Sequence, residues 1–406
     1  MKKILLLIMS VIALQINAQT ITNYTTADGL LSDFVECIDV DVNDNIWIGT
    51  SIGLQVAPSF IVYDVVNFPG MLSDNIKVIR GTSNGGIWIG TDYGANQLIS
   101  ASTGSMWLSF TSANGLNSSQ VKSIDEDADG GIWVGTTQGV SHFDGANWTS
   151  FSSPDLHWSG VNATAFDSNG DAWFASPLGG ITHFDGTTFT PYDTSNGLLS
   201  QFVTALLIDD QDNKWVGTSS GMSVLDATNT SFTQHTRMYI MPPPDTLNPV
   251  VDIVMDSHER IWTAIYVGYL AVGGVAMWDG NQWIDFDVSD GLVGPNVKGL
   301  AIDSQDNIWV ATSTGVSKIS AIPSAVSAIK NNGFDLFPNP SNDVVYLINE
   351  NKDVQQVNVY NNLGALVYAN NNQLNYSIDV SSFAQGLYYV NIQCSDAIIR
   401  RKIVVN

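Results

Sequence analysis

A tryptophan-centred segment of six residues recurs seven times in this chain of 406 residues, and no other feature restricts its fold as strongly. The first copy is Asn45-Ile46-Trp47-Ile48-Gly49-Thr50. The seven tryptophans are Trp47, Trp88, Trp133, Trp173, Trp215, Trp262 and Trp309, separated by 41, 45, 40, 42, 47 and 47 residues. Spacings of about 40 to 50 residues are typical of four-stranded propeller blades, although some helical repeats have a similar period.

Alternation within each repeat favours strands over helices. The third repeat, from Gln120 to Phe151, contains four short segments of alternating apolar and polar residues, joined by Asp and Gly turns. A single such sheet leaves both faces exposed, so the sheets are expected to stack around a channel. The sequence therefore predicts an all-β chain with a seven-bladed β-propeller over residues 19–320.

The last repeat lacks an outer strand of its own, and the start of the chain is predicted to supply it. Alignment of Asp-Gly-Leu at 28–30 with Asp-Gly-Leu at 290–292 places Ile21 and Tyr24 at the positions of outer-strand aromatic residues. Residues 21–26 are therefore predicted to complete the seventh blade. This closure removes a sheet edge that otherwise invites aggregation.

Both ends of the chain depart from the repeat. Residues 1–18 combine two lysines, an apolar run and a small residue at the end, which predicts a secretory signal peptide. The apolar run has about eleven residues and a bilayer takes about 20, so no transmembrane segment is expected in the mature chain. Residues 321–333 are predicted to be a linker, and residues 334–406, which lack Trp, a small Ig-like β-sandwich.

Four ordered motifs mark the C-terminal segment: Leu336-Phe337-Pro338-Asn339-Pro340, Val359-Tyr360-Asn361-Asn362-Leu363-Gly364, Gly386-Leu387-Tyr388-Tyr389-Val390 and Arg400-Arg401-Lys402-Ile403-Val404. Together they resemble the type A C-terminal sorting domain of type IX (Por) secretion. The resemblance implies export to the cell surface or beyond, through an outer-membrane machine of certain Gram-negative bacteria. It implies a sorting signal formed by Pro338, Asn339, Pro340, Gly364, Gly386, Tyr388 and Lys402. An ordinary adhesion-type sandwich is the alternative.

The repeat itself, with its Trp-x-Gly-Thr-x-x-Gly core and its Asp-Gly-Leu or Asn-Gly-Leu lead, is similar to the two-component regulator propeller family over about residues 20–320. In that family such propellers are periplasmic sensing modules of membrane histidine kinases. The kinase role is not carried over, because this chain has neither a kinase nor a receiver segment. The resemblance implies a propeller that binds a ligand or partner.

Charge and motif content exclude several classes of function. The chain has 15 Lys and Arg against 39 Asp and Glu, a formal net charge of -24. Nucleic-acid binding needs clustered cations, so this class is excluded, and field steering favours neutral or cationic ligands. The two cysteines, Cys37 and Cys394, form no CxxC pair, and the chain has no phosphate-binding loop, dinucleotide fingerprint or nucleophile elbow.

One acidic turn resembles the start of a calcium loop. Residues 125–130 read Asp-Glu-Asp-Ala-Asp-Gly, but the twelfth position, where an EF-hand needs Glu, is Thr136. Hairpin-turn chemistry explains the same residues, with structural Ca²⁺ as the alternative, and no other cofactor is expected. His142 and His183 hold equivalent repeat positions, which favours packing over metal binding.

Irregular loops are the best candidates for recognition, because shared residues build the blades. The sixth repeat has two insertions and the fourth an irregular lead-in, all expected on the top face of the propeller. The predicted ligand-binding residues are Tyr93, His157, Trp158, Tyr239, Asp245, Tyr266 and Tyr269. Aromatic residues suit sugars and protein partners. In the alternative, the Pro-rich loop only packs Tyr266 and Tyr269 onto their own blade.

These observations predict a secreted or surface propeller that binds a glycan, a peptide or a surface protein through its top face without catalysis. The alternatives are a polysaccharide or antibiotic lyase or hydrolase on the same scaffold, and a structural component of the cell surface.

Overall fold

The computed structural model describes residues 20–101, 104–239, 247–268, 270–320, 334–337, 340–349, 354–361, 365–370, 377–394 and 398–405. Strands dominate these residues, and the two helices described, Thr26–Asp28 and Thr194–Asn196, are three-residue 3-10 turns. Neither helix has the length and apolarity needed to cross a bilayer. The predicted signal peptide, residues 1–18, and the predicted linker, residues 321–333, lie outside the described residues.

Residues 20–320 form seven four-stranded antiparallel sheets, here called blades 1 to 7. The chain starts with β1 (Thr20–Tyr24), which belongs to blade 7. Blade 1 contains β2 (Val35–Val40), β3 (Ile46–Thr50), β4 (Gly53–Ala57) and β5 (Ile61–Tyr63). Blade 2 contains β6 (Val78–Gly81), β7 (Ile87–Thr91), β8 (Gly94–Ala101) and β9 (Gly104–Phe110). Blade 3 contains β10 (Val121–Glu126), β11 (Ile132–Thr136), β12 (Gly139–Phe143) and β13 (Trp148–Phe151).

The remaining blades follow in chain order. Blade 4 contains β14 (Ala163–Phe166), β15 (Ala172–Ser176), β16 (Gly180–Phe184) and β17 (Phe189–Tyr192). Blade 5 contains β18 (Val203–Ile208), β19 (Lys214–Thr218), β20 (Gly221–Leu225) and β21 (Phe232–His235). Blade 6 contains β22 (Val250–Met255), β23 (Ile261–Val267), β24 (Val272–Trp278) and β25 (Trp283–Phe286). Blade 7 contains β26 (Val297–Ile302), β27 (Ile308–Thr312), β28 (Gly315–Ser320) and β1.

The first strands of the blades line a central channel. Each contacts the first strand of the next blade, and β26 contacts β2, so the ring is closed. The two ends of the propeller are joined by β1, which pairs antiparallel with β28 and places Ile21 opposite Ile319. Because each sheet is a meander, turns between first and second strands lie on one face, called the bottom. Loops between blades and turns between second and third strands lie on the other, the top.

The repeat tryptophan holds each blade together in two ways. Its ring stacks near the last aromatic residue of the outer strand of its own blade, with ring centroids between 5.2 and 6.0 Å apart. In six blades its Nε1 donates a hydrogen bond of 2.8 to 3.0 Å to the Asp six residues earlier. Blade 2 has Thr82 at that Asp position.

The glycine two residues after the tryptophan lets neighbouring blades approach each other. A Cβ at Gly90 would lie 2.4 Å from Cγ1 of Val121 in the first strand of the next blade, and a Cβ at Gly135 would lie 2.7 Å from the carbonyl oxygen of Val161. Real Cβ atoms do not come this close to other atoms. Glycine at this position in blades 1, 2, 3 and 5 therefore permits the close approach of neighbouring sheets, and blades 4, 6 and 7 have alanine there.

The C-terminal segment is a two-sheet sandwich. One sheet contains β29 (Phe334–Phe337), β30 (Val344–Asn349) and β33 (Ser377–Asp379). The other has the order β32 (Leu366–Asn370), β31 (Val354–Asn361), β34 (Gly386–Cys394) and β35 (Ile398–Val405). Their inner faces enclose a buried core that includes Val345, Val359, Val390, Ile392 and Ile403.

Candidate functional site

Exposed apolar side chains concentrate on the top face of the propeller. Of the fifteen large apolar side chains of blades 1 to 7 that are described and exposed, ten lie in top-face loops and turns. They are Phe34, Ile52, Val66, Tyr93, Trp158, Leu178, Phe202, Leu247, Leu270 and Val288. In the bottom turns only Val42 and Phe60 of this group are found, since those turns consist mainly of Asp, Asn, Gly and Ser. This uneven distribution makes the top face the candidate recognition surface.

Three of the predicted binding residues are exposed on this face. Tyr93, in the turn between β7 and β8, is 66% exposed, and Trp158, in the loop before β14, is 45% exposed. His157 is also exposed. A Cβ at Gly179 would lie 2.6 Å from Cβ of Trp158 and 3.3 Å from Cδ2 of His157, so both residues pack over the top turn of their own blade.

The predicted role of Tyr239 as a surface residue is corrected by its burial. The side chain is only 7% exposed, and its hydroxyl donates a 3.1 Å hydrogen bond to the carbonyl of Gly273. Its main-chain N–H donates to Oδ1 of Asn248 at 2.6 Å. Burial raises the pKa of the Tyr239 hydroxyl well above its usual range. Tyr239 therefore anchors the irregular loop of blade 6 and does not face a ligand.

Of the other residues predicted in blade 6, the structure describes only Tyr266. Tyr266 is half-buried at the end of β23, where it pairs with Gly273. Asp245 and Tyr269 lie outside the described residues. The surface part of the predicted site is therefore carried by Tyr93, His157 and Trp158.

The mouth of the channel carries residues that the sequence analysis missed. Phe34 and Phe202 each stand directly before a first strand and are 41% and 46% exposed. Lys298 Nζ lies 5.3 Å from the ring centroid of Phe34, and Lys77 Nζ lies 3.6 Å from a carboxylate oxygen of Glu36. An alignment of the seven first strands could have shown that aromatic and charged residues cluster at the channel mouth. Phe34 and Phe202 share one aligned position, and Glu36, Lys77 and Lys298 share the position two residues later.

Deeper in the channel, three carboxylates stabilise the free edges of first strands. Asp39 accepts a hydrogen bond from Gly81 N at 2.7 Å, Asp125 from Thr164 N at 3.3 Å and Asp252 from Leu300 N at 2.8 Å. Each donor belongs to the next blade. Burial raises the pKa of Asp125 and of Asp252 to about 6. All three groups therefore connect blades, and the charge of Asp125 and Asp252 is sensitive to mildly acidic pH.

The acidic turns on the bottom face have protein donors as partners. In the calcium-like turn, the Asp127 carboxylate accepts from Trp133 Nε1 at 2.8 Å and from Gly131 N at 2.7 Å. The Glu126 carboxylate accepts from N and Oγ of Ser83 in the preceding blade, at 2.6 and 2.9 Å. Turn chemistry and links between blades thus account for these carboxylates.

One group of metal-type side chains, Asp167, Asp171 and His183, stands out in the described part of the chain. His183 Nε2 lies 2.9 Å from an Asp171 carboxylate oxygen, which is a direct hydrogen-bond distance. The His183 ring stacks on Trp173 at 4.4 Å, and His142 stacks on Trp133 at 4.3 Å. Both histidines therefore pack on the tryptophan of their own blade, as their equivalent positions indicated.

The predicted sorting residues are only partly described. Tyr388 is buried and its hydroxyl donates to the carbonyl of Ala384 at 2.7 Å. Pro340 is exposed, Gly386 begins β34, and the exposed Lys402 places its ammonium against the carboxylate of Asp290 in the propeller. Pro338, Asn339 and Gly364 lie outside the described residues.

Two family models match parts of the chain. Residues 335–406 match the secretion system C-terminal sorting domain, and residues 115–138 match the two component regulator propeller. The C-terminal segment is therefore a type IX sorting domain, and the chain is exported to the cell surface or beyond. A search of curated proteins gives no match.

Several solved structures share the fold. The extracellular domain of the hybrid two component system BT3049 from B. thetaiotaomicron has a TM-score of 0.64 at 16% identity, covering 96% of this chain and 58% of that one. PorZ, a surface component of the type IX secretion system of Porphyromonas gingivalis, has a TM-score of 0.54 at 16% identity, covering 92% and 60%. The virginiamycin B lyase of Staphylococcus aureus, in complex with quinupristin, has a TM-score of 0.59 at 13% identity, covering 75% and 100%.

These similarities establish the architecture only. At such identities a shared fold carries no shared activity. The chain also spans less than two thirds of the length of the first two structures.

Proposed function

We propose that this exported propeller is a non-catalytic binding module, whose top face recognises a glycan, a peptide or another surface protein. The observation that supports the proposal is the concentration of exposed apolar and aromatic side chains on the top face, ten of fifteen, in a chain whose bottom turns are polar. Soluble monomers rarely expose a broad apolar surface without a partner for it.

The types of residue on the top face fit recognition. Tyr93 and Trp158 offer wide, stiff rings with one polar group each, a combination that is frequent at binding hot spots. Phe34 with the Lys298 ammonium over its ring adds a cation beside an aromatic surface. Binding of sugars or of protein side chains uses the same contacts.

The test compares two variants of the mature chain on arrays of glycans and of bacterial surface proteins. Tyr93→Ala/Trp158→Ala removes two exposed rings from the top face. Val42→Ala removes an exposed side chain, 60% exposed, from the bottom face and is the matched control. We expect saturable binding that weakens about tenfold or more in the double variant and is unchanged in the control, since one hot-spot ring contributes about 2 kcal/mol.

Three results contradict the proposal. Equal binding by the wild type, the double variant and the control would place recognition away from the top face. Turnover of an array component into a product would instead support the lyase or hydrolase alternative. Self-association without either result would support a structural role.

A further inference from the structure

The contact between blade 7 and blade 1 is packed differently from the other six contacts between blades. In blades 2 to 7, two large apolar residues pack against the preceding blade. One lies on the third strand, and the other is its cross-strand partner on the fourth strand. These pairs are Leu98 and Trp107, Phe143 and Trp148, Phe184 and Phe189, Leu225 and Phe232, Trp278 and Trp283, and Ile319 and Ile21. In blade 3, for example, the rings of Phe143 and Trp148 lie 6.1 and 6.5 Å from Trp88 of blade 2.

Blade 1 has Ala57 and Phe60 at the corresponding positions. Val56 pairs with Ile61, so Ala57 and Phe60 are the next two residues to face each other across this hairpin. Ala57 supplies only a methyl group where the other blades have Leu, Ile, Phe or Trp. Phe60 has a φ of 53°, which is uncommon for a bulky residue, and its side chain is 40% exposed. Blade 1 therefore does not fill the space beside Trp309 of blade 7.

The result is a cleft of about 400 Å³ between the two blades. Its walls include Tyr24, Trp309 and Val316 of blade 7 and Ile46, Ala57 and Phe60 of blade 1. Trp309 is only half-buried, whereas the other six repeat tryptophans are at most 7% exposed. This volume lies within the range of about 300 to 1,000 Å³ that is usual for small-molecule sites.

The charged groups around the cleft are engaged with protein partners. The Asp44 carboxylate accepts from N and Oγ of Ser304, at 2.8 and 2.5 Å. The Asp303 carboxylate accepts from Trp309 Nε1 at 2.9 Å, and Lys318 Nζ lies 3.8 Å from it. The surface left for an occupant is therefore mainly apolar and aromatic.

We infer that this cleft binds the aromatic ring of a ligand, which takes the place of the large apolar side chain that blade 1 lacks at Ala57. Tilted or edge contacts of this ring with Trp309 reproduce those that Phe143 and Trp148 make with Trp88. The ring belongs either to a free aromatic compound or to a side chain of a peptide. Because the cleft is lined by the bottom turns at Asp44 and Gln305, this site is separate from the top-face site.

The experiment titrates the mature chain with indole, a free ring, and with N-acetyltryptophanamide, a ring on a peptide backbone, by calorimetry and ligand-observed NMR. We expect at least one probe to bind saturably with a Kd of about 1 mM or tighter. Ala57→Leu introduces the residue found at this position in blades 2 and 5. It should weaken binding at least tenfold and raise the melting temperature, because it fills the cleft.

Val42→Ala is the control, since Val42 is exposed on the same face but does not line the cleft, and it should bind both probes like the wild type. Tighter binding of the amide assigns the ring to a peptide, and tighter binding of indole assigns it to a free compound. The inference is overturned if neither probe saturates, or if the wild type and Ala57→Leu bind equally. Ala57→Val, a smaller filling, replaces Ala57→Leu if the latter does not fold.

Discussion

The repeat tryptophans show how single residues determine this architecture. The indole packs within its blade, while its N–H needs an acceptor in a buried place, which the Asp six residues earlier supplies in six blades. From the sequence, the acidic turns were assigned to hairpin chemistry alone. The recurrence of Asp six residues before six of the seven tryptophans is the signal that could have indicated the hydrogen bond.

Blade 6 offers the sharpest test of this residue-scale contact. The buried Asp256 carboxylate accepts from Trp262 Nε1 at 2.8 Å and from Arg260 Nε at 2.6 Å. Asp256→Ala should lower the free energy of unfolding by about 3 kcal/mol or more, because it leaves a buried guanidinium and an indole N–H without their acceptor. Urea unfolding followed by circular dichroism measures the change.

Asp129→Ala, at an exposed position of the corresponding turn in blade 3, is the control and should change stability by less than about 0.5 kcal/mol. A similar small change in Asp256→Ala would show that the contact contributes little.

The loop before blade 6 shows why the candidate site was only partly predictable. Tyr239 was assigned to the surface because it begins an irregular Pro-rich segment. In the structure the carbonyl of Gly273 accepts from its hydroxyl, so the whole ring is buried without an unpaired donor. Tyr93 and Trp158, by contrast, stand in loops of blades 2 and 4 and are exposed.

At the scale of elements, the strands were predictable and their channel-facing residues were not. Alternation and turn residues indicate four strands per repeat, and the structure has them. Five first strands contain an irregularity in register against the second strand, for example between Val121 and Ser123. Such a bulge reverses which side chains face the channel, so simple alternation assigns them wrongly.

The first strands also make stability depend on pH. Burial raises the pKa of Asp125 and Asp252 to about 6 from a usual 3.8, so the folded chain binds these protons more readily than the unfolded chain. Through these groups stability falls as pH rises from about 4 to about 6. Asp125→Asn and Asp252→Asn keep an oxygen for the hydrogen bond and remove the charge.

Each of these variants should therefore be more stable than the wild type at pH 7.5, by about 1 to 2 kcal/mol. A pKa shift of about two units corresponds to about 3 kcal/mol, and water in the channel screens part of this energy. At pH 4.5 the difference should shrink. Urea midpoints across this range test it, with Asp129→Asn as the control. A constant difference at all pH values would contradict the assignment to these carboxyls.

At the scale of the whole molecule, the number of blades followed from the repeat, whereas the cleft did not. Within blade 1 alone, Ala57 is an ordinary strand residue. The cleft beside it exists only because blade 7 packs against blade 1 in the closed ring. The polarity of the two faces likewise depends on which loops share a face. Neither property belongs to any one repeat.

Closure by β1 is the last property to test, and it concerns the entire ring. Ile21 packs beside the core of blades 6 and 7, and Tyr24 lies 5.7 Å from Trp309 between ring centroids. Ile21→Ala/Tyr24→Ala should lower the free energy of unfolding by about 3 kcal/mol or more, because two half-buried apolar side chains lose their contacts. Loosening of β1 also exposes the edge of β28, so the variant should associate on size-exclusion chromatography.

Thr22→Ala, at an exposed position of the same strand, should remain monomeric and as stable as the wild type. If the double variant behaves like Thr22→Ala, the ring is held by its blade contacts alone and β1 is not needed for closure.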